Sequence, residues 1–151
     1  MTIVSSNDSV FYIDATGRSR NADVVVTSAT SDYASGAVPL TASSGNVAAA
    51  VATATLAGAA GVTTYFTGFE VTGAGATAPL VVNVTVVGTI SGTLTYTYTA
   101  ATGATVPNQP LIVTFFPPIP ASAANTAIVV SCPSLGAGNT NNTVVAHGYR
   151  K

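Results

Sequence analysis

From Gly45 to Tyr149 valine, threonine, alanine and tyrosine alternate in short runs, and Gly, Pro or Asn breaks the runs at regular intervals. Successive side chains of a strand point to opposite faces, so this rhythm predicts β-strands joined by turns. The predicted strands are Asn46 to Ala57, Val62 to Thr72, Leu80 to Val87, Thr93 to Thr99, Leu111 to Phe116, Thr126 to Cys132 and Val144 to Tyr149. In the second, Tyr65, Thr67, Phe69 and Val71 are expected to face the core, with Phe66, Gly68 and Glu70 opposite. In the third, Leu80, Val82, Val84 and Val86 share one face, and Val81, Asn83, Thr85 and Val87 the other. In the fourth, Leu94, Tyr96 and Tyr98 alternate with threonines that form a solvent face without charge. The proline cluster Pro117-Pro118-Ile119-Pro120 should end the fifth, because proline has no N–H for a ladder. Leu135 to Thr143 reads as a Gly/Asn loop. No segment carries a helical period. The pattern predicts an all-β chain, an antiparallel β-sandwich or jelly roll.

Residues 1–44 differ in kind. They hold six of the nine charged side chains, namely Asp8, Asp14, Arg18, Arg20, Asp23 and Asp32. Val10 to Ile13 and Val24 to Thr27 read as two short strands, with a polar loop from Asp14 to Asp23 between them. Ser28 to Ser44 is rich in Ser, Ala, Thr and Gly and reads as a connector. The division expected is an N-terminal arm or small hairpin over 1–44 and a sandwich body over 45–151. Arg18 and Arg20 are the candidate contacts of the arm with a partner.

Charge changes the picture most. Charged residues make up 6% of the 151, against about 25% in a typical soluble domain, although the hydrophobic share of 48% is ordinary. Between Tyr33 and Tyr149 the one charged side chain is Glu70. With a net charge of −1 and four basic residues, nothing favours nucleic acid, whose phosphates require clustered Lys and Arg. The uncharged span from Val47 to Phe66 is long enough to cross a bilayer, but Gly58 and Gly61 interrupt it and it alternates by two. It therefore reads as sheet, and no membrane partner is expected.

Candidate chemistry is sparse. Cys132 excludes an intrachain disulfide, being the single cysteine, and the apolar run before it predicts a buried, inert thiol. His147, Cys132 and Glu70 lie far apart in sequence, where a metal site needs three or four ligands together. Glu70 has no second carboxylate after Asp32, and a pairing with a backbone amide or an arm arginine is expected for it. The loops Gly73-Ala74-Gly75-Ala76 and Gly136-Ala137-Gly138-Asn139 precede neither a helix nor a lysine and read as turns. Asn7, Asn83 and Asn141 match the glycosylation pattern by chance, since no secretion signal is evident. No catalytic residue, cofactor site or metal site is expected, and the protein does not read as an enzyme.

Two segments carry a resemblance. One runs Thr64-Tyr65-Phe66-Thr67-Gly68-Phe69-Glu70-Val71-Thr72-Gly73-Ala74-Gly75-Ala76-Thr77. The other runs from Phe116-Pro117-Pro118-Ile119-Pro120 through Ala127-Ile128-Val129-Val130 to Val145-Ala146-His147-Gly148-Tyr149. Together they resemble small β-rich proteins encoded in tailed-phage and prophage genomes. The resemblance spans residues 62–149 and brings no catalytic motif. It implies a virion structural protein, a capsid decoration or cement subunit made in the host cytoplasm and placed on the head. Its implied partners are the major capsid protein or other virion proteins and further copies of itself, with a trimer expected from the symmetry of shell positions. The alternative is a fibre or tail adhesion module for host glycans, to which the tyrosines would contribute.

Overall fold

The computed structural model describes residues 3–6, 9–13, 19–21, 36–103, 105 and 109–151, and the chain divides into two units, Met1–Asp32 and Tyr33–Lys151. In the first unit β1 (Ile3–Ser6), β2 (Ser9–Ile13) and β3 (Ser19–Asn21) form an antiparallel sheet in that order. β1 and β2 pair from Ile3↔Tyr12 to Ser6↔Ser9. The expected polar loop thus contains a strand: the backbone of Arg20 lies opposite Tyr12. Arg18 and the strand expected at Val24 to Thr27 lie outside the described residues.

The second unit begins before the expected boundary. β4 (Val38–Ser43), part of the supposed connector, pairs with β13 (Asn141–Arg150) from Val38↔Arg150 to Ser43↔Val145. The body therefore starts at Tyr33 rather than at residue 45. β4 escapes notice in the sequence because it is short, contains Pro39 and keeps its larger side chain, Leu40, only half-buried. The other strands are β5 (Ala52–Leu56), β6 (Thr64–Ala74), β7 (Ala78–Pro79), β8 (Val81–Thr89), β9 (Gly92–Thr99), β10 (Leu111–Pro120), β11 (Ile128–Cys132) and β12 (Gly136–Ala137). No described residue is helical, and no described helix is long and apolar enough to cross a membrane.

Two four-stranded antiparallel sheets, β10-β6-β13-β4 and β5-β11-β8-β9, make the body. The pairings nest: β4 with β13, β5 with β11, β6 with β10, and β8 with β9. That is one long hairpin, and rolling it up adds the contacts β6–β13 and β8–β11. Such winding is what a jelly roll requires. One core lies between the sheets. β6 and β13 contribute Phe66, Phe69, Val71, Val144 and Ala146, and the facing sheet contributes Leu56, Val82, Val84, Val86, Ile128, Val130 and Cys132. The faces of β8 and β9 match their alternation: Val82, Val84 and Val86 are buried, and Thr93, Thr95, Thr97 and Thr99 are exposed. Leu80, expected on the inner face, instead precedes β8 and is 56% exposed.

β6 corrects a face assignment. Phe69 and Val71 are in the core as expected, but so is Phe66, while Tyr65 and Thr67 lie on the outer side. The cause is a β-bulge. His147 pairs with Gly68 and Gly148 with Phe66, which leaves Thr67 unmatched. One extra residue reverses the side-chain parity, so Phe66 inward on one half of the strand is followed by Phe69 inward on the other. Gly68 is required there, because a Cβ would collide with the backbone carbonyl of Val113.

β10 also departs from expectation by running on to Pro120. Its pairing with β6 breaks between Thr114 and Ile119 and then resumes as Ile119↔Phe66 and Pro120↔Tyr65. Pro117 and Pro118 sit in the unpaired part of an edge strand, where no N–H is needed.

Candidate functional site

The outer face of the β10-β6-β13-β4 sheet carries the polar cluster of the body. Alternation from Phe69 places Glu70 outward on β6, and the period of β13 places His147 outward beside it. Val145 is the residue opposite Glu70, and His147 lies opposite Gly68, so the two side chains approach on the diagonal. His147 Nε2 is 3.2 Å from Glu70 Oε1. Both side chains are more than a third exposed, so water screens the pair and it adds little to stability. Its use is positional, since it fixes one hydrogen-bonding imidazole and one carboxylate on an otherwise uncharged face.

Beside the pair lies a shallow depression of about 260 Å³, lined by Thr67, Gly68, Phe69, Glu70, His147 and the β10 residues Ile112, Val113 and Thr114. Ile112 stands 63% exposed at its edge, and Phe116, farther along β10, is fully exposed. On the other side of the bulge Tyr65 and Tyr149 pair directly across the ladder and stack, with ring centroids 4.9 Å apart and planes within 10°. Burial, and then the adjacent Tyr65, push the Tyr149 phenol above its ordinary value. Aromatic faces, one carboxylate and one imidazole therefore share one side of the sandwich.

The opposite outer face is built of hydroxyls and methyls. Thr53 and Ser131 lie opposite each other with Oγ atoms 3.3 Å apart, and Thr97 donates to Asn83 Oδ1 at 3.5 Å. Val81 and Val87 stand exposed among them. No described residue on this face is charged. Such a surface is wetted through Thr and Ser and can be covered by a flat partner without stranding a charge.

The remaining candidates separate. Cys132 is buried under the hydroxyl-bearing sheet and donates weakly to the Pro133 carbonyl. Burial pushes its thiol up to about 11, against the opposing pull of a hydrogen bond from the Asn142 side chain. Asn142 holds the carbonyls of Cys132 and Pro133 at 3.3 and 3.0 Å, so this strand end is braced from β13. The two glycine loops brace each other: Asn139 Nδ2 donates to the Ala74 carbonyl, Thr77 N–H donates to the Ala137 carbonyl, and β7 pairs with β12. Both are turns. Among the described residues no three His, Cys, Asp or Glu side chains are gathered as metal ligands would be.

The expectation for Glu70 needs correction. Among the described residues its partner is His147. The two are 77 residues apart, and only the pairing of β6 with β13 joins them. Their outward parity was the signal available, but parity says nothing about which strands are neighbours. No family model, no curated protein and no solved structure matches the chain.

Proposed function

We propose that the protein is a virion structural subunit, a capsid decoration or cement protein of a tailed phage, that binds by covering surface and performs no reaction. The observation that carries this reading is a body with two broad outer sheet faces, on which the described residues show one ion pair, Glu70–His147. Such faces hold a partner through shape, apolar contact and hydroxyl or backbone hydrogen bonds. Jelly rolls are common among capsid components, but they also serve lectins, so fold alone does not decide. The phage-like phrases at residues 64–77 and 116–149 tip the choice toward the head. The partners proposed are the major capsid protein or another virion component and further copies of this chain.

Imaging of purified particles with the protein labelled is the direct test. Many copies spread over the shell support decoration. A few copies at a tail or fibre tip overturn it in favour of glycan adhesion, which one observation favours: the Tyr65–Tyr149 stack beside the Glu70–His147 pair and its depression. Sugars bind by stacking on aromatic faces with polar neighbours, and a glycan array with Tyr149→Ala as control would detect it.

A further inference from the structure

Every open sandwich has edges, and among the described residues four strands of the body are edges: β10 and β4 in one sheet, β5 and β9 in the other. An edge strand offers a row of backbone donors and acceptors to any strand that approaches, and proteins blunt that offer with prolines, charges, bulges or short length. Three of the four are blunted. β10 carries Pro117, Pro118 and Pro120 and breaks its register. β4 contains Pro39, and β5 is five residues long. β9 has neither proline nor charge, and its one register shift against β8 falls at its start, between Gly92 and Leu94. From Leu94 to Thr99 it runs in unbroken register against β8.

The side chains of β9 add a second observation. Along Thr93-Leu94-Thr95-Tyr96-Thr97 the threonines are exposed on the outer face, and Leu94 and Tyr96 are only half-buried on the inner one. On the adjacent strand Val82, Val84 and Val86 are buried. The core is thus incompletely covered along this edge, as it is at the half-buried Leu40 and Ala42 of β4 and Leu111, Val113 and Phe115 of β10, although the Tyr96 ring meets Phe69 at 5.3 Å from inside. What would complete it is another strand with apolar side chains inward and polar ones outward.

The sequence of β9 is itself that strand. When a copy is turned about a two-fold axis through Thr95, antiparallel pairing sets Thr93 against Thr97 and Leu94 against Tyr96. Thr95 meets its own counterpart. Each face then matches in kind, and no charge is opposed to a like charge. We infer that the β9 edge is a strand-addition surface whose partner is β9 of a second copy, giving an isologous dimer with a continuous eight-stranded sheet. This deepens the assembly part of the proposed function but concerns the free subunit and needs no shell. It also changes the expected symmetry, because a two-fold contact closes at two copies. A trimer would need a different contact.

Sedimentation of the full-length protein at concentrations up to ~100 µM tests this directly. The result expected is a reversible dimer. Thr95→Lys places two ammonium groups opposite each other across the axis and should weaken the dimer by about tenfold or more, since directly opposed like charges destabilise a strand pair. Its circular dichroism and melting should remain those of the parent, because Thr95 is exposed. Thr95→Cys should give a covalent dimer on mild oxidation, while Thr53→Cys on the far edge of the same sheet should not. This second variant decides the matter if the lysine variant folds poorly. A protein that is monomeric throughout, or an assembly indifferent to Thr95→Lys with no crosslink through Thr95→Cys, overturns the inference. A trimer of that indifferent kind would leave the shell-coating reading standing. A β9 dimer that never binds a shell would do the reverse.

Discussion

Phe69 lies in a line of aromatic rings that crosses the core, with Phe115 next to Phe66 at 5.3 Å, Phe66 to Phe69 at 6.2 Å and Phe69 to Tyr96 at 5.3 Å. Two sheets are tied at that line, so truncating its central ring leaves a cavity that neither sheet can close. Phe69→Ala is expected to lower stability by ~3–5 kcal/mol, measured by urea denaturation. Tyr65→Ala, on the outer face, should lose on the order of 1 kcal/mol from the stack with Tyr149. Equal losses would contradict the bulge-reversed faces of β6. Cys132 gives a chemical readout of the same core. With its thiol pushed up from an ordinary 9.0 to about 11, labelling by a thiol reagent near neutral pH should be slow in the native protein and rapid in denaturant. The sign of the linked stability follows. Below pH 9 the thiol is protonated in both states and the stabilisation is complete. Between 9 and about 11 only the unfolded chain ionises, so stability falls as pH rises. Cys132→Ala should remove that part of the alkaline loss, which melting curves across this range would show.

β8 as far as Val86, β9 from Leu94 onward and β11 were legible in the sequence because nothing interrupts their period over those residues. β6 was legible as a strand but misread in one half, since a bulge adds a residue without changing composition. β10 looked shorter than it is, because prolines forbid a central strand but are harmless in an unpaired stretch of an edge. The candidate site was legible only in parts. Glu70 and His147 each stood out, while their meeting depends on strand order, which local periodicity does not encode. Gly68 is where an element-scale test applies. Gly68→Ala drives a methyl into the Val113 carbonyl and must push β10 from β6 or flatten the bulge. A loss of ~1–3 kcal/mol is expected, as for other forced overpacking. Thermal unfolding at parental temperature would mean that β10 is held by something other than its ladder to β6.

At the scale of the whole molecule the shortage of charge should govern the assembly proposed above. Contacts made by the body should persist as salt rises, because screening removes charge–charge attraction and leaves apolar burial intact. Light scattering of the full chain and of residues 33–151, from low salt to about 1 M where the screening length is roughly 3 Å, checks this. Body-mediated association should be retained in both, whereas any contribution of Arg18 or Arg20 should vanish in high salt. Truncation must stop at residue 32, since cutting at 44 removes β4 from its sheet. The nested winding has one more consequence, and it concerns time. β13 is bonded on both sides, to β6 and to β4, and is the last of the described strands to be synthesised. While it is still inside the ribosome, β6 lacks one neighbour, β4 lacks its sheet and half of the core is open to water. The hairpin β8–β9 can form early, but the sandwich cannot close until its final strand emerges. Pairings this distant in sequence are slow to form. A newly made subunit therefore passes through an interval with a finished β9 and an unfinished core, so chaperone occupancy during synthesis, rather than the stability of the finished fold, should set how much of it reaches assembly.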